Sequence, residues 1–267
     1  MDDELRWFGP TSEFGRLEAA GFKIGTGGPH QSKTMMLDDL RMTFGAANAV
    51  TPEGLIIDQN ILGKRTARSR QVALYRLNQL YGLTHPPPVC AALAGLWSRD
   101  ISAQPLLAVL CALARDPSLR DASPAVLDAP IGTQVRWPAF GAAIEARRPG
   151  RLGTKMLKSL AQNCASTWSQ AGFLRGKLAK VRVHPTPTPT VAAYAALLSE
   201  YSGFGGPALV ASPWLAVTDV PIPERIVLLR EADALGLLRL RTGGGIVEIV
   251  VRERMAAALG LPELGNI

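Results

Sequence analysis

Apolar positions recur at helical spacing along most of the chain, and Gly and Pro interrupt them at short intervals. Residues 1–30 carry little periodicity and run out in Gly25-Thr26-Gly27-Gly28-Pro29, which predicts an irregular lead-in. Ser32 then predicts a helix cap, with Met35, Met36, Leu40 and Phe44 approximating one stripe to about Phe44. Thr51 as N-cap and Pro52 at the first helical position open a short helix carrying Leu55, Ile56 and Ile57, which stops near Leu62-Gly63. From Thr66 to Tyr81 the pattern is amphipathic: Val72, Leu74, Leu77, Leu80 and Tyr81 share a core face, with Arg65, Arg68 and Arg76 largely off it. Gly82 and Pro86-Pro87-Pro88 end that helix. Two apolar helices follow, Val89 to Ser98 and Pro105 to Ala114, and Asp116-Pro117 and Ser123-Pro124 open short turns or helices. Helices joined by short loops describe a bundle over 31–130.

From Arg136 the pattern changes. A helix near Pro138 to Arg147 meets the breaker Pro149-Gly150, and a longer one runs from about Thr154 to Ala171. After Gly172-Phe173-Leu174, residues Leu178 to His184 alternate as a strand, with Val181 and Val183 on one side and Lys180 and Arg182 on the other. Its partner strand is not evident. Pro185, Pro187 and Pro189, alternating with threonines, form a stiff connector. This gives a basic unit at 131–190 and a C-terminal unit at 191–267. The latter has a helix from Val191 to Tyr201 and a second from Pro223 to Ala234. A hairpin of Leu237–Arg241 with Ile246–Val251 around Gly243-Gly244-Gly245 and a last helix from Glu253 to Leu259 complete it. The expected class is mainly α: a helical bundle, then helical units ending in small β-hairpins in the manner of a winged helix.

Charge is segregated along the chain rather than spread evenly. Between Glu145 and Glu200 there is no acid, but there are nine bases: Arg147, Arg148, Arg151, Lys155, Lys158, Arg175, Lys177, Lys180 and Arg182. A second acid-free window, between Asp58 and Asp100, holds Lys64, Arg65, Arg68, Arg70, Arg76 and Arg99. These fifteen charges exceed the net +7 of the whole chain, so the remainder is net acidic. A single-sign surface repels itself unless a polyanion neutralises it, and nucleic acid is the commonest such partner. The expectation is that folding gathers both windows onto one exposed strip.

Other chemistries find little support. Cys90, Cys111 and Cys164 are odd in number and far apart, which predicts reduced, buried thiols in a cytoplasmic protein rather than a disulfide framework or metal pair. The acidic start Met1-Asp2-Asp3-Glu4 does not read as a signal peptide, and no apolar run reaches the length of a membrane span. Gly27 to Thr34 approaches a phosphate-binding loop, but Ser32 replaces its second glycine, Pro29 removes a donor and no strand precedes it. His30, His85 and His184 stand beside prolines in separate loops and form no ligand pair with one another or with a cysteine. No catalytic residue, cofactor or metal site is assigned, and the chain reads as a non-enzyme. The basic residues suit phosphate, and Thr66 and Ser69 add hydroxyls near a helix start. Gln162, Asn163, Ser166 and Gln170 are placed to reach base edges.

The run Asn60-Ile61-Leu62-Gly63-Lys64-Arg65-Thr66-Ala67-Arg68-Ser69-Arg70 resembles a motif of the BrxA family, in which an Asn-Leu-Leu-Gly-Lys-Arg-Ser-like stretch follows two short helices and opens a longer one. Ile61 and Thr66 are conservative departures. Ser32-Lys33, Leu106 to Leu119 and Ser166-Thr167-Trp168 to Leu174 stand in a similar order, so the resemblance spans about residues 32–185. It implies a small, helical, non-enzymatic component of the BREX phage-exclusion system that binds double-stranded DNA beside other phage-defence proteins. The residues nominated from charge as DNA contacts are Lys64, Arg65, Arg68, Arg70, Arg76, Arg151, Lys155, Lys158, Arg175, Lys177, Lys180 and Arg182. The alternative is an interaction scaffold whose basic windows meet acidic partner proteins. Neither reading sets an oligomeric state.

Overall fold

A helix that is apolar on every side has to lie in the middle of its neighbours, and Pro189–Tyr201 is such a helix. Every residue from Thr190 to Ser199 is buried. Thr188 caps it, accepting from Val191 N, and Pro189 occupies the first turn, where a missing N–H costs nothing. A computed structural model describes residues 7–46, 50–177, 179–243 and 246–266. Met1-Asp2-Asp3-Glu4, Leu178 and Gly244-Gly245, which entered the sequence reading, lie outside the described residues.

In chain order the helices are α1 (Phe14–Ala20), α2 (Leu37–Gly45), α3 (Ala67–Tyr81), α4 (Pro88–Trp97), α5 (Gln104–Arg115), α6 (Pro117–Ala122), α7 (Pro124–Leu127), α8 (Trp137–Arg147), α9 (Thr154–Gln170), α10 (Pro189–Tyr201), α11 (Gly206–Val210), α12 (Pro213–Ala216), α13 (Ile222–Ala234) and α14 (Arg252–Leu259). Two antiparallel hairpins complete the fold: β1 (Leu174–Arg175) with β2 (Val181–Arg182), and β3 (Arg239–Gly243) with β4 (Ile246–Val250). The protein is thus mainly helical with two small hairpins.

The central helix α10 packs against α1, α4, α5, α11, α12 and α13. Tyr194 Oη donates to Val89 O at 2.8 Å, which ties α10 to the start of α4. One apolar cluster runs from Trp7 to Leu264. The Pro-Thr connector, drawn above as the boundary between units, therefore does not separate two cores.

Several local expectations are corrected. The first thirty residues are not merely irregular: α1 forms there, and Trp7 and Phe8 are buried. Trp7 packs edge-on against Trp214 with centroids 4.7 Å apart, and its carbonyl accepts from Trp214 Nε1 at 2.9 Å. The helix expected from Ser32 begins instead at Leu37, after Met36 in the left-handed region (φ 54°). Tertiary hydrogen bonds from His30 N to Asp116 and from Met35 N to Thr167 hold this segment in another path. Gly54–Asp58 winds as a wide π-helical turn, with Thr51 capping it as expected. The α3 start matches: Thr66 Oγ1 accepts from Ser69 N and Ser69 Oγ accepts from Thr66 N, a reciprocal box of the kind that contributes about 1 kcal/mol.

Candidate nucleic-acid interface

The surface of interest is built on α9. Leu160, Ala161, Cys164, Ala165, Thr167 and Trp168 recur at three- and four-residue spacing and bury one face, mainly against α8. Lys155, Lys158, Ser159 and Gln162 are left on the solvent side. Gly172 (φ 91°) then turns the chain so that Phe173 packs edge-on against Trp168, centroids 4.7 Å apart. The returning strand missing from the sequence reading is β1: Leu174 pairs with Arg182 and Arg175 with Val181.

A third extended segment joins this hairpin. Gly132 N donates to Arg182 O, Arg182 N to Thr133 O and Val135 N to Lys180 O, at 2.8–2.9 Å. The ladder delivers the chain into Arg136, which is extended at the N-cap of α8, and into Trp137-Pro138 in its first turn. Arg136, Trp137, the α9 face and the β1–β2 turn are thereby brought together.

Between them lies an open cleft of about 530 Å³, lined by Val135, Arg136, Trp137, Gln162, Ala165, Lys177 and Lys180. Among the described residues no Asp or Glu lines it. Lys180 Nζ donates to Ser169 Oγ (2.7 Å) and Ala165 O (3.3 Å), and burial pulls its pKa below the ordinary lysine value. Lys158 Nζ stands 5.5 Å from the Trp137 ring centroid. Trp137 is 38% exposed, whereas Trp7, Trp97, Trp168 and Trp214 are at 5% or less.

The nominated cations fall into groups. Arg151, Lys155, Lys158, Arg175 and Lys177 are exposed, and Lys158 and Lys177 adjoin the cleft. Arg65 and Arg68 are exposed at the start of α3, and Arg70 is half-buried. Arg76 donates to Gln79 Oε1 at 2.7 Å, with its guanidinium 5.2 Å from the Tyr75 ring. Lys64 is held by both oxygens of Asp39 at 2.9 Å.

Arg182 must be withdrawn from the phosphate contacts. It is 1% exposed, bonded to the Asp219 carboxylate and to Val126 O and Val183 O, and stacked 5.0 Å from the Phe173 centroid. The expected alternation is inverted here, with Arg182 inward and Val181 half-exposed, because the Asp219 carboxylate and Val126 O from across the fold, with the neighbouring Val183 O, satisfy the guanidinium. Most of the expected base readers are also engaged internally. Asn163 Nδ2 donates to His30 O, Gln170 Oε1 accepts from Leu37 N, and Ser166 Oγ accepts from Gln170 Nε2. Gln162 alone of the four lines the cleft. Thr66 and Ser69 spend their hydroxyls on the helix cap.

The two basic windows approach each other through α2. Gln170, at the C-terminal end of α9, binds Leu37 N, and Asp39 nearby binds Lys64. Lys158 lies twelve residues before Gln170, roughly 18 Å along the helix axis. Of the window between Asp58 and Asp100, Lys64 is thus tied through α2 toward the C-terminal end of α9, the opposite end from Lys155 and Lys158.

Sequence reasoning missed Arg136 and Trp137, which lie outside the acid-free windows. The available signal was a bulky aromatic beside a cation at a Pro-marked helix start. It also left His30 unpartnered. His30 Nδ1 lies 2.8 Å from Asp116 Oδ2, and Nε2 lies 2.8 Å from Thr167 Oγ1. The geometry is that of a hydroxyl-imidazole-carboxylate relay, but all three groups are fully buried, so no substrate can reach them. In the loop-like Gly27–Thr34 stretch, His30 N donates to Asp116, so a carboxylate occupies a donor that a phosphate would need. Among the described residues, no group of three or more His, Cys, Asp or Glu is placed to hold a metal ion, and no helix is long and apolar enough to cross a membrane.

Compared with protein families, with curated proteins and with solved structures, the chain matches none.

Proposed function

We propose that this protein binds double-stranded DNA through its phosphates, with little dependence on sequence and without a chemical step of its own. The observation that carries the reading is the set of exposed cations around α9, namely Arg136, Arg151, Lys155, Lys158, Arg175 and Lys177, beside a cleft whose described lining holds no carboxylate. Desolvated cations locked in ion pairs contribute little to counterion release, whereas exposed and unpaired ones contribute fully. Lysines and arginines on a helix face meet the backbone of a duplex without needing base contacts, which makes the binding sequence-tolerant. The likeness of Asn60 to Arg70 to the BrxA motif supports placing this activity in a phage-defence system.

The test is fluorescence anisotropy of the full chain with two unrelated duplexes at low and moderate salt. Similar affinities for both, falling steeply with salt, support the reading. Absence of binding to either duplex at low salt overturns it and leaves the basic surface to an acidic protein partner.

A further inference from the structure

Phosphates on a duplex can be met by side chains standing out into solvent, so duplex binding alone gives no role to a recessed aromatic cleft. We infer that the cleft between α8, α9 and the β1–β2 turn receives an unpaired nucleotide of a DNA strand, its base against Trp137 and its phosphate among Arg136, Lys177 and Lys180. This rests on the proposed DNA binding and deepens it: the protein engages duplex flanked by, or interrupted by, single-stranded nucleotides.

Three features point to this ligand. The cleft, about 530 Å³, falls in the range of small-molecule sites and is large enough for one nucleotide. Its lining combines the three groups that nucleotide recognition uses: an aromatic ring, an amide in Gln162 that both donates and accepts, and cations without a competing acid among the described residues. A base paired in a duplex is stacked on both faces and cannot reach a ring set into a cleft; an unpaired one can. A strand suits the surroundings better than a free nucleotide. Lys158 and Lys155 continue from the cleft along the exposed face of α9, one turn apart, where flanking phosphates would lie. The backbone that leads into the ring is also held before any ligand arrives, because the 132–135 ladder anchors the chain just ahead of Arg136 and the start of α8.

Trp137 makes the test direct. It is the exposed tryptophan of the chain, so acrylamide-accessible tryptophan fluorescence reports on it. The full chain is titrated with a blunt duplex, the same duplex carrying a short single-stranded tail, an oligothymidylate and thymidine monophosphate. The expected result is tighter binding of the tailed than of the blunt duplex, with Trp137 quenched and shielded by the tail and by oligothymidylate. Trp137→Ala should erase the preference for the tail, a loss of roughly 5- to 150-fold for one stacked base. Trp137→Phe, which keeps a stacking ring, should retain most of it. Circular dichroism checks that both variants fold. Equal binding of blunt and tailed duplexes with Trp137 unshielded overturns the inference while leaving duplex binding intact; loss of binding to all DNA overturns both. Shielding by the monophosphate at an affinity matching the oligonucleotide overturns assignment to a strand and makes the cleft a free-nucleotide site.

Discussion

Replacing Lys155, Lys158 and Lys177 together by Gln should flatten the salt dependence of DNA binding by an amount fixed by how those ammonium groups are held. All three side chains are exposed, and among the described residues none forms an ion pair. Each phosphate contact they make therefore releases counterion fully, about 0.9 in the slope of log K against log salt, or about 2.7 for the three. Over a fourfold rise in salt from roughly 50 to 200 mM, this means that roughly 40-fold of the wild-type loss of affinity disappears in the variant. Exposed Lys-to-Gln changes away from special features leave stability within about 0.5 kcal/mol, so a folding defect should not confuse the reading. The matched control is Lys64→Gln, whose ammonium is already engaged by both Asp39 oxygens and should change the slope by less than about half a unit. Fluorescence anisotropy with one labelled duplex across a salt series measures both. An unchanged slope in the triple variant, or an equal effect per charge for Lys64, would refute the distinction between free and internally paired cations.

Arg182→Leu should destabilise the fold by about 3–5 kcal/mol, nearer the lower figure because His184 still pairs with Asp219, by leaving that carboxylate without its buried partner; a denaturation midpoint near wild type would rule this out. Gly28→Ala should cost at least ~1–3 kcal/mol, since its Cβ would stand 1.9 Å from Asp116 Oδ1, and that carboxylate is tied to His30 and Ser118. Chemical denaturation should show an early midpoint, and a normal one would mean that Asp116 moves aside freely. All three cysteines are free and fully buried, so a thiol reagent at neutral pH should label the native chain slowly and the unfolded chain three times over. Rapid labelling of the folded protein would count against the packing of α4, α5 and α9.

Much of the local structure was legible in the chain because it depends on neighbours a few residues apart. Thr66 and Gly82 bracket α3, the apolar residues of α9 recur at helical spacing, and the all-apolar stretch after Thr188 forms the central helix. The segregation of charge was equally plain, and it pointed to the α9 region. Local pattern alone therefore sets which segments coil, where they stop and which of them are basic. Which of those basic groups stay free was decided only by the tertiary structure. Lys64 finds its acid 25 residues away and Arg182 finds one 37 residues away, while residues 132–135 add a third row to a two-residue hairpin. The physical reason is that a charge's fate depends on what stands within a few ångströms of it after folding. Helical periodicity and caps say nothing about partners that far along the chain. Arg136 and Trp137 became part of a cleft for the same reason: the extended segment before them is held by β2, a strand too short to announce its neighbours.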